Sequence, residues 1–277
     1  MHTKSQKFNL ARLMTLTALA ASLVFLVSCS ALGLSSEDDD NTVELLGLAL
    51  LTNSPCTSGV TNNDSSLPDY IKNNFENMTI TDNGTSYVFK TNDLPPYSNG
   101  YYSQLTTCYI NDFPSGNHAN PNTISSQGLT LTIPKTPDTG GSTTDYGAVG
   151  VAIDGSAIYN SEAAPGDSLA TELATMNAGN GHPTDIGQYH YHTEPYKISN
   201  DDSNLIGIAL DGYLIFGRKE KDGTYPNPSS DLDTNGGHST DNNSFFTSAK
   251  YHYHVQNSTD GLIMIANYHG TAGTVSQ

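Results

Sequence analysis

Tryptophan is absent from this chain, and basic residues are scarce: 11 Lys and Arg stand against 28 Asp and Glu among 277 residues. A formal charge of −17 argues against nucleic acid as a partner and against direct docking on anionic lipid headgroups. No P-loop, dinucleotide fingerprint or nucleophile elbow occurs. Asp231, Asp233 and Asn235 look like the start of a calcium loop, but Asn242 stands where an EF-hand needs its closing Glu, which excludes that site and leaves only a surface-loop calcium. Long apolar stretches and helical periodicity are also rare. With no Trp and 16 Tyr, the composition suits a wet, half-buried sheet surface more than a large apolar core.

One apolar run does stand out, at the start. Lys4, Lys7 and Arg12 form a basic region without acids, and residues 13–27 are mostly apolar but short for a membrane span. The run ends in Leu26-Val27-Ser28-Cys29, which resembles a bacterial lipobox, in which the peptide is cut before the Cys and that Cys carries the lipid. Residues 1–28 therefore read as a lipoprotein signal peptide and Cys29 as the lipidation site; an uncleaved anchor is the alternative. A lipid-anchored, extracytoplasmic protein of the bacterial envelope is expected. Ser30 after the Cys favours the outer over the inner membrane. Loss of the leader takes the charge to −20.

Residues 29–55 read as an acidic tether followed by a leucine-rich segment, Thr42–Thr52, able to form a short helix. Residues 56–277 are long enough for one β-rich body. With Cys29 assigned, Cys56 and Cys108 remain, and two cysteines in an exported protein most simply form one disulfide. Free thiols or a Cys metal ligand are the alternatives. Strands are predicted at Ser86–Lys90, Leu129–Ile133, Val149–Ile153 and Ile206–Leu210 from their alternation. A helix is predicted over Pro165–Met176, capped by Asp167 or Ser168. The fold class expected is mainly β, with antiparallel hairpins in a sandwich-like domain and little helix.

The tetrapeptide Tyr-His-Tyr-His occurs twice, at Tyr189–His192 and Tyr251–His254. On a strand, alternate side chains share a face, so each copy sets two imidazoles on one face and two tyrosines on the other. The copies close larger units. Gly150–Tyr159 aligns with Gly207–Phe216, and each unit passes through a Gly-His pair, Gly181-His182 or Gly237-His238. Residues of about 149–200 and 205–256 are thus a tandem repeat. Asp154-Gly155 and Asp211-Gly212, between apolar runs, predict hairpins with type I′ turns. Two such units can pack about a pseudo-two-fold axis, and their matching residues then either meet near it in one shared site or make two separate ones.

His182, His190, His192, His238, His252 and His254 are the candidate metal ligands. Three histidines per unit is the ligand count of an open zinc site or of many copper sites. Asp154, Asp211, Asp231 and Asp233 are candidate acceptors to orient the rings. With imidazoles dominant and thiolates missing, copper or zinc is the cofactor expected. One competing reading gives the histidines a structural role, donating to backbone carbonyls with the tyrosines packed behind; another makes them metal-free acid–base catalysts.

These letters resemble the YHYH domain family, over about residues 111–270. Besides both tetrapeptides, the resemblance rests on Gly207–Gly217, on Asp231-Leu232-Asp233 with Asn235-Gly236 and Gly237-His238, and on Phe113-Pro114 and Asn120-Pro121-Asn122-Thr123-Ile124. It implies an exported or surface protein and no agreed activity. Members often carry a Cys near the Asn-Gly-His stretch; Thr234 stands beside Asn235 here, so no thiolate ligand is available there. His269 occupies the place of a Cys-containing close and is either a local substitute or a surface residue. The reading reached is a metal-binding envelope protein without an assigned reaction. A metal-dependent hydrolase or oxidase, and a surface adhesion or glycan-binding module with structural histidines, are the alternatives; the membrane, through the lipid, is the partner expected, and a surface partner or ligand stays unnamed.

Overall fold

In a computed structural model, the described residues are Cys56, 64–257, Gly261 and 267–277. The expected signal peptide, the expected lipidation site Cys29, the expected tether and the Thr42–Thr52 segment lie outside them. No helix among the described residues is long and apolar enough to cross a membrane.

The described chain is mainly β. A four-stranded antiparallel sheet holds β1 (Met78–Asp82), β2 (Ser86–Thr91), β3 (Leu129–Pro134) and β14 (Thr274–Ser276), in that order. Its alternation is direct: Leu129, Leu131 and Ile133 are buried while Thr130 and Thr132 are half-exposed, as a sheet with one covered face requires. The predicted strands at Ser86, Leu129, Val149 and Ile206 all form, each within one residue of its expected ends. A two-stranded sheet pairs β4 (Ser142–Thr143) with β13 (Asn267–Tyr268).

The duplicated region forms one eight-stranded sheet. Its members are β5 (Ala148–Ala152), β6 (Ala157–Tyr159), β7 (His182–Pro183), β8 (Tyr189–Tyr191), β9 (Leu205–Ala209), β10 (Leu214–Phe216), β11 (Gly237–Thr240) and β12 (Lys250–His254), ordered β11-β12-β10-β9-β5-β6-β8-β7. The order is symmetric under exchange of the repeats. Its dyad passes between β5 and β9, which pair antiparallel about Val151 and Ile208, with Gly150 opposite Ala209 and Ala152 opposite Gly207. Within each unit, the chain leaves the hairpin, crosses over, and returns with the histidine strand parallel to the hairpin's second strand. The Gly-His strand then closes the edge antiparallel to it.

The two glycines at the dyad are a packing requirement. A Cβ on Gly150 would lie 2.6 Å from the Ile208 carbonyl oxygen, and one on Gly207 would stand on the Val151 carbonyl oxygen and Ile158. Backbone cannot swing away as a side chain could. Gly207→Ala is expected to lower stability by about 1–3 kcal/mol, the range for overpacking a filled core; urea unfolding of the purified variant measures it.

The turns correct one expectation. Gly155 and Gly212 both have φ of 91°, while Asp154 and Asp211 are not left-handed. The Gly155 N–H reaches the Ala152 carbonyl at 3.0 Å, and the Ala152 N–H reaches Ser156 at 2.9 Å; Gly212, Ala209 and Tyr213 repeat the pattern. These are three-residue hairpin loops with one left-handed glycine, not two-residue type I′ turns. The four-stranded sheet covers both loops. Asn77 Nδ2 donates to the Asp154 carbonyl (3.1 Å), Thr91 Oγ1 to the Gly155 carbonyl (2.7 Å) and the Gly273 N–H to the Leu210 carbonyl (2.8 Å). One continuous apolar core, including Phe89, Leu131, Val151 and Ile215, lies beneath these contacts.

Helix is confined among the described residues to α1 (Asp69–Lys72) and α2 (Leu169–Leu173). Ser168 caps α2 through Thr171, but the predicted span Pro165–Met176 is cut at both ends. Gly166 is left-handed, with φ of 100°, and the Asn117 side chain takes the Leu173 and Met176 carbonyls, ending the helix there. Cys56 and Cys108 are joined in a disulfide with Cα atoms 5.6 Å apart.

Candidate metal centres

Strand alternation fixes the faces of β8. Tyr189 and Tyr191 point to one side, where their hydroxyls meet that of Tyr97 at 2.8 and 2.9 Å. His190 and His192 take the other side, and Tyr159 of β6 stacks on the His190 ring at 3.9 Å. From β7, directly opposite His190 in register, comes His182. The Nε2 atoms of His182 and His190 are 3.0 Å apart, as are those of His190 and His192.

Each ring's other nitrogen is held by an acceptor. His190 Nδ1 faces the Gln188 carbonyl at 3.2 Å and His192 Nδ1 the Asn160 carbonyl at 2.6 Å. His182 Nδ1 faces Thr175 Oγ1 at 2.6 Å. The Thr175 hydroxyl spends its proton on the Glu172 carbonyl at 2.8 Å, so toward His182 it accepts. All three neutral rings therefore carry hydrogen on Nδ1, and three Nε2 lone pairs converge. Burial pushes the His182 pKa down to about 3, helped by His192, and drives His190 well below its ordinary value. His192 is also lowered by burial, with the Asn160 carbonyl and Glu172 opposing.

Converging lone pairs repel unless a cation stands between them. Each pair of nitrogens 3.0 Å apart subtends roughly 95° at an ion about 2.05 Å from both, an angle zinc or copper accepts, and the third pair, His182 and His192, lies within 4.8 Å. The carboxylate of Glu172 joins from α2: its Oε2 lies 3.1 Å from His192 Nε2 and has no hydrogen-bond partner. That follows from the tautomer, since neither atom has a hydrogen to give.

The second repeat builds the same triad at the opposite edge of the sheet. His252 and His254 Nε2 atoms are 3.1 Å apart, with Nδ1 atoms facing the Lys250 and Gly217 carbonyls at 2.9 and 2.8 Å. Gly217 is the counterpart of Asn160 in the repeat alignment. His238 comes from β11, opposite His252. Glu220 completes the group: its Oε1 lies 2.7 Å from His238 Nε2 and 3.5 Å from His254 Nε2. Burial pushes the Glu220 carboxyl up, but His238 and His254 outweigh it and hold the pKa at about 2. Burial and the neighbouring His254 take His252 down to about 4.

Among the described residues, these are the two groups able to hold a metal: His182, His190 and His192, and Glu220, His238, His252 and His254, the donor atoms of each lying within 4.8 Å of one another.

Residues 130–231 match the family model described as YHYH protein. The match takes in the first triad and the β9–β10 hairpin, and stops short of the second Tyr-His-Tyr-His. No curated protein and no solved structure matches the chain. The matched span thus contains one whole triad, and the duplication supplies its copy outside that span.

The six histidines form two separate groups and not one shared site at the dyad. The β5–β9 pairing occupies the axis, so each histidine strand adds to the outer side of its own hairpin. The histidine strands are five strand spacings of about 4.8 Å apart, roughly 24 Å. The aspartates expected to orient imidazoles serve the tyrosine side instead. Asp154 accepts from the Tyr191 hydroxyl at 2.7 Å and Asp211 from Tyr253 at 2.5 Å. Asp231 and Asp233 cap backbone N–H groups of Asn227 and Asn235, both at 2.8 Å. His269 stacks on Tyr251 at 3.6 Å and joins neither triad; His118 also lies apart from both, and His2 is outside the described residues.

Glu172, Glu220 and Thr175 were missed. Glu220 sits in the charged run Arg218–Lys221, which reads as surface, and Glu172 belongs to a weak helix; neither carries a motif. Thr175→Val leaves the His182 Nδ1–H without its acceptor and is expected to weaken metal binding at the first triad 10–100-fold, the usual cost of losing an orienting partner. Competition titration against a chelator, with the second triad as internal reference, checks it.

Proposed function

We propose that this is a lipid-anchored extracytoplasmic protein that binds one transition-metal ion, copper or zinc, at each of its two histidine clusters. The convergence of Nε2 atoms 3.0–3.1 Å apart, on rings whose Nδ1 atoms face fixed acceptors, carries the reading. Backbone carbonyl partners are what a structural histidine would also use, but a structural role gives no reason to aim the remaining lone pairs at one another. The carboxylates of Glu172, 3.1 Å from His192, and of Glu220, 2.7 Å from His238, add negative charge at the same points. The leader letters and the Cys56–Cys108 disulfide support an oxidising compartment outside the cytoplasm.

Elemental analysis of protein purified without an affinity tag tests the metal reading. Two ions per chain are expected; His190→Ala and His252→Ala should each leave one, and the double variant none. A wild-type chain that holds no copper or zinc after dialysis against either ion overturns it.

A further inference from the structure

The two clusters differ in one donor, and the difference divides their work. In the second repeat, Glu220 follows β10 by four residues and lies within 4.8 Å of all three imidazole nitrogens. The repeat alignment puts Ala163 at the equivalent place, so the first cluster lacks this ligand. Its carboxylate comes instead from α2, in the long connection before β7. Glu172 reaches His192 at 3.1 Å but falls outside the group that encloses the three imidazole nitrogens. The first cluster also opens into a cleft of about 540 Å³, whose wall includes His182, His190, His192 and Glu172. Four donors close a tetrahedral shell; three with a nearby carboxylate leave a place for water and substrate.

Resting on the metal reading above, we infer that the first-repeat site is a hydrolytic centre for neutral acyl esters and the second a closed structural site. Glu162, Asp167 and Asp185 line the same cleft as Glu172, and no Lys or Arg does. Such a wall repels phosphates and carboxylates and admits neutral groups. Asn120 and Tyr146 are among the uncharged polar residues of that wall. Water at the ion gives a proton to Glu172, and its oxygen bonds to the ester carbonyl carbon. The ester C–O bond then breaks, and the departing alcohol oxygen takes the proton from Glu172. One water is consumed, an acid and an alcohol form, and nothing is oxidised or reduced.

The test uses the full chain loaded with zinc, assayed with p-nitrophenyl acetate and bis(p-nitrophenyl) phosphate. Ester hydrolysis above that of the zinc-free chain is expected, with the phosphodiester untouched. Glu172→Gln should keep both ions and lose 10²–10⁴-fold in kcat, the range for removing a general base. A second readout does not depend on turnover: in the cobalt-loaded wild type, acetohydroxamate should perturb the visible spectrum of one ion of the two. If no ion binds, the metal reading itself fails; if only one binds, the division of roles between two sites is wrong. If two bind but Glu172→Gln hydrolyses the ester at the wild-type rate, or acetohydroxamate perturbs neither ion or both alike, the division of roles is wrong. Faster cleavage of the phosphodiester than of the ester overturns the substrate class.

Discussion

Zinc added to the metal-free chain is expected to raise its thermal unfolding midpoint by about 15–30 °C. A ligand present at a thousand times its dissociation constant stabilises the state it binds by about 4 kcal/mol. Two independent sites give about 8, and a body of this size moves roughly 2–4 °C per kcal/mol. The topology makes the effect large in a particular place. Each cluster ties the two outermost strands of its half, β7 and β8 or β11 and β12, across register pairs His182–His190 and His238–His252. The Asn160 and Gly217 carbonyls, just beyond β6 and β10, hold the same clusters to the next strand inward. Without an ion, the terminal strands of the sheet keep few ladder bonds and face unshielded lone pairs, so their amides should exchange first. Calorimetry with and without a chelator measures the shift, and hydrogen exchange locates it. Glu220→Ala should reduce the shift more than Glu172→Ala, because only Glu220 sits among all its neighbours' donor atoms. A shift under about 5 °C in excess zinc would remove the clusters from the folding energetics.

How far the letters reached can be judged from particular residues. Leu129–Ile133 shows its inward face by alternation alone, and the aligned Gly150 and Gly207 runs reveal the duplication before any geometry is known. The histidine faces were legible for the same reason, since period two is a local property of a strand. What was not legible is set by strand order. Whether β8 adds inside or outside its hairpin depends on β9 having taken the inner edge of β5, a pairing between residues 57 apart. That single fact separates the clusters and sends Asp154 and Asp211 to the tyrosine side. Glu172 and Glu220 escaped because a carboxylate ligand has no period; it becomes visible only when a crossover places it beside Nε2.

Acid separates a prebuilt triad from an ordinary one. In an exposed set of three histidines with pKa near 6.5, protons compete for the lone pairs, and lowering the pH from 7 to 5 costs about 10⁴-fold in metal affinity. In the first cluster His182 is held down at about 3, mainly by burial, and His190 lies well below its ordinary value for the same reason. These rings stay neutral in the folded chain at pH 5, so their affinity for zinc at pH 5 should remain within about tenfold of that at pH 7. The cost appears in the fold instead. Between the folded value near 3 and the unfolded 6.5, the unfolded chain binds protons that the folded chain refuses, so stability is full above 6.5 and falls as the pH drops toward 3. Each such ring contributes a slope of up to about 1.4 kcal/mol per pH unit. Glu220 adds a loss of the same sign lower down, from its unfolded 4.5 to about 2. The buried carboxyls of Asp154 and Asp211, raised by burial, act oppositely above 3.8, but they belong to the tyrosine side and leave zinc affinity untouched. Chelator competition at pH 7 and 5, beside urea unfolding of the metal-free chain over the same range, reads the two effects apart. A 10⁴-fold loss of affinity with flat stability would mean that the rings titrate freely, and that the lone pairs are not held together by the fold.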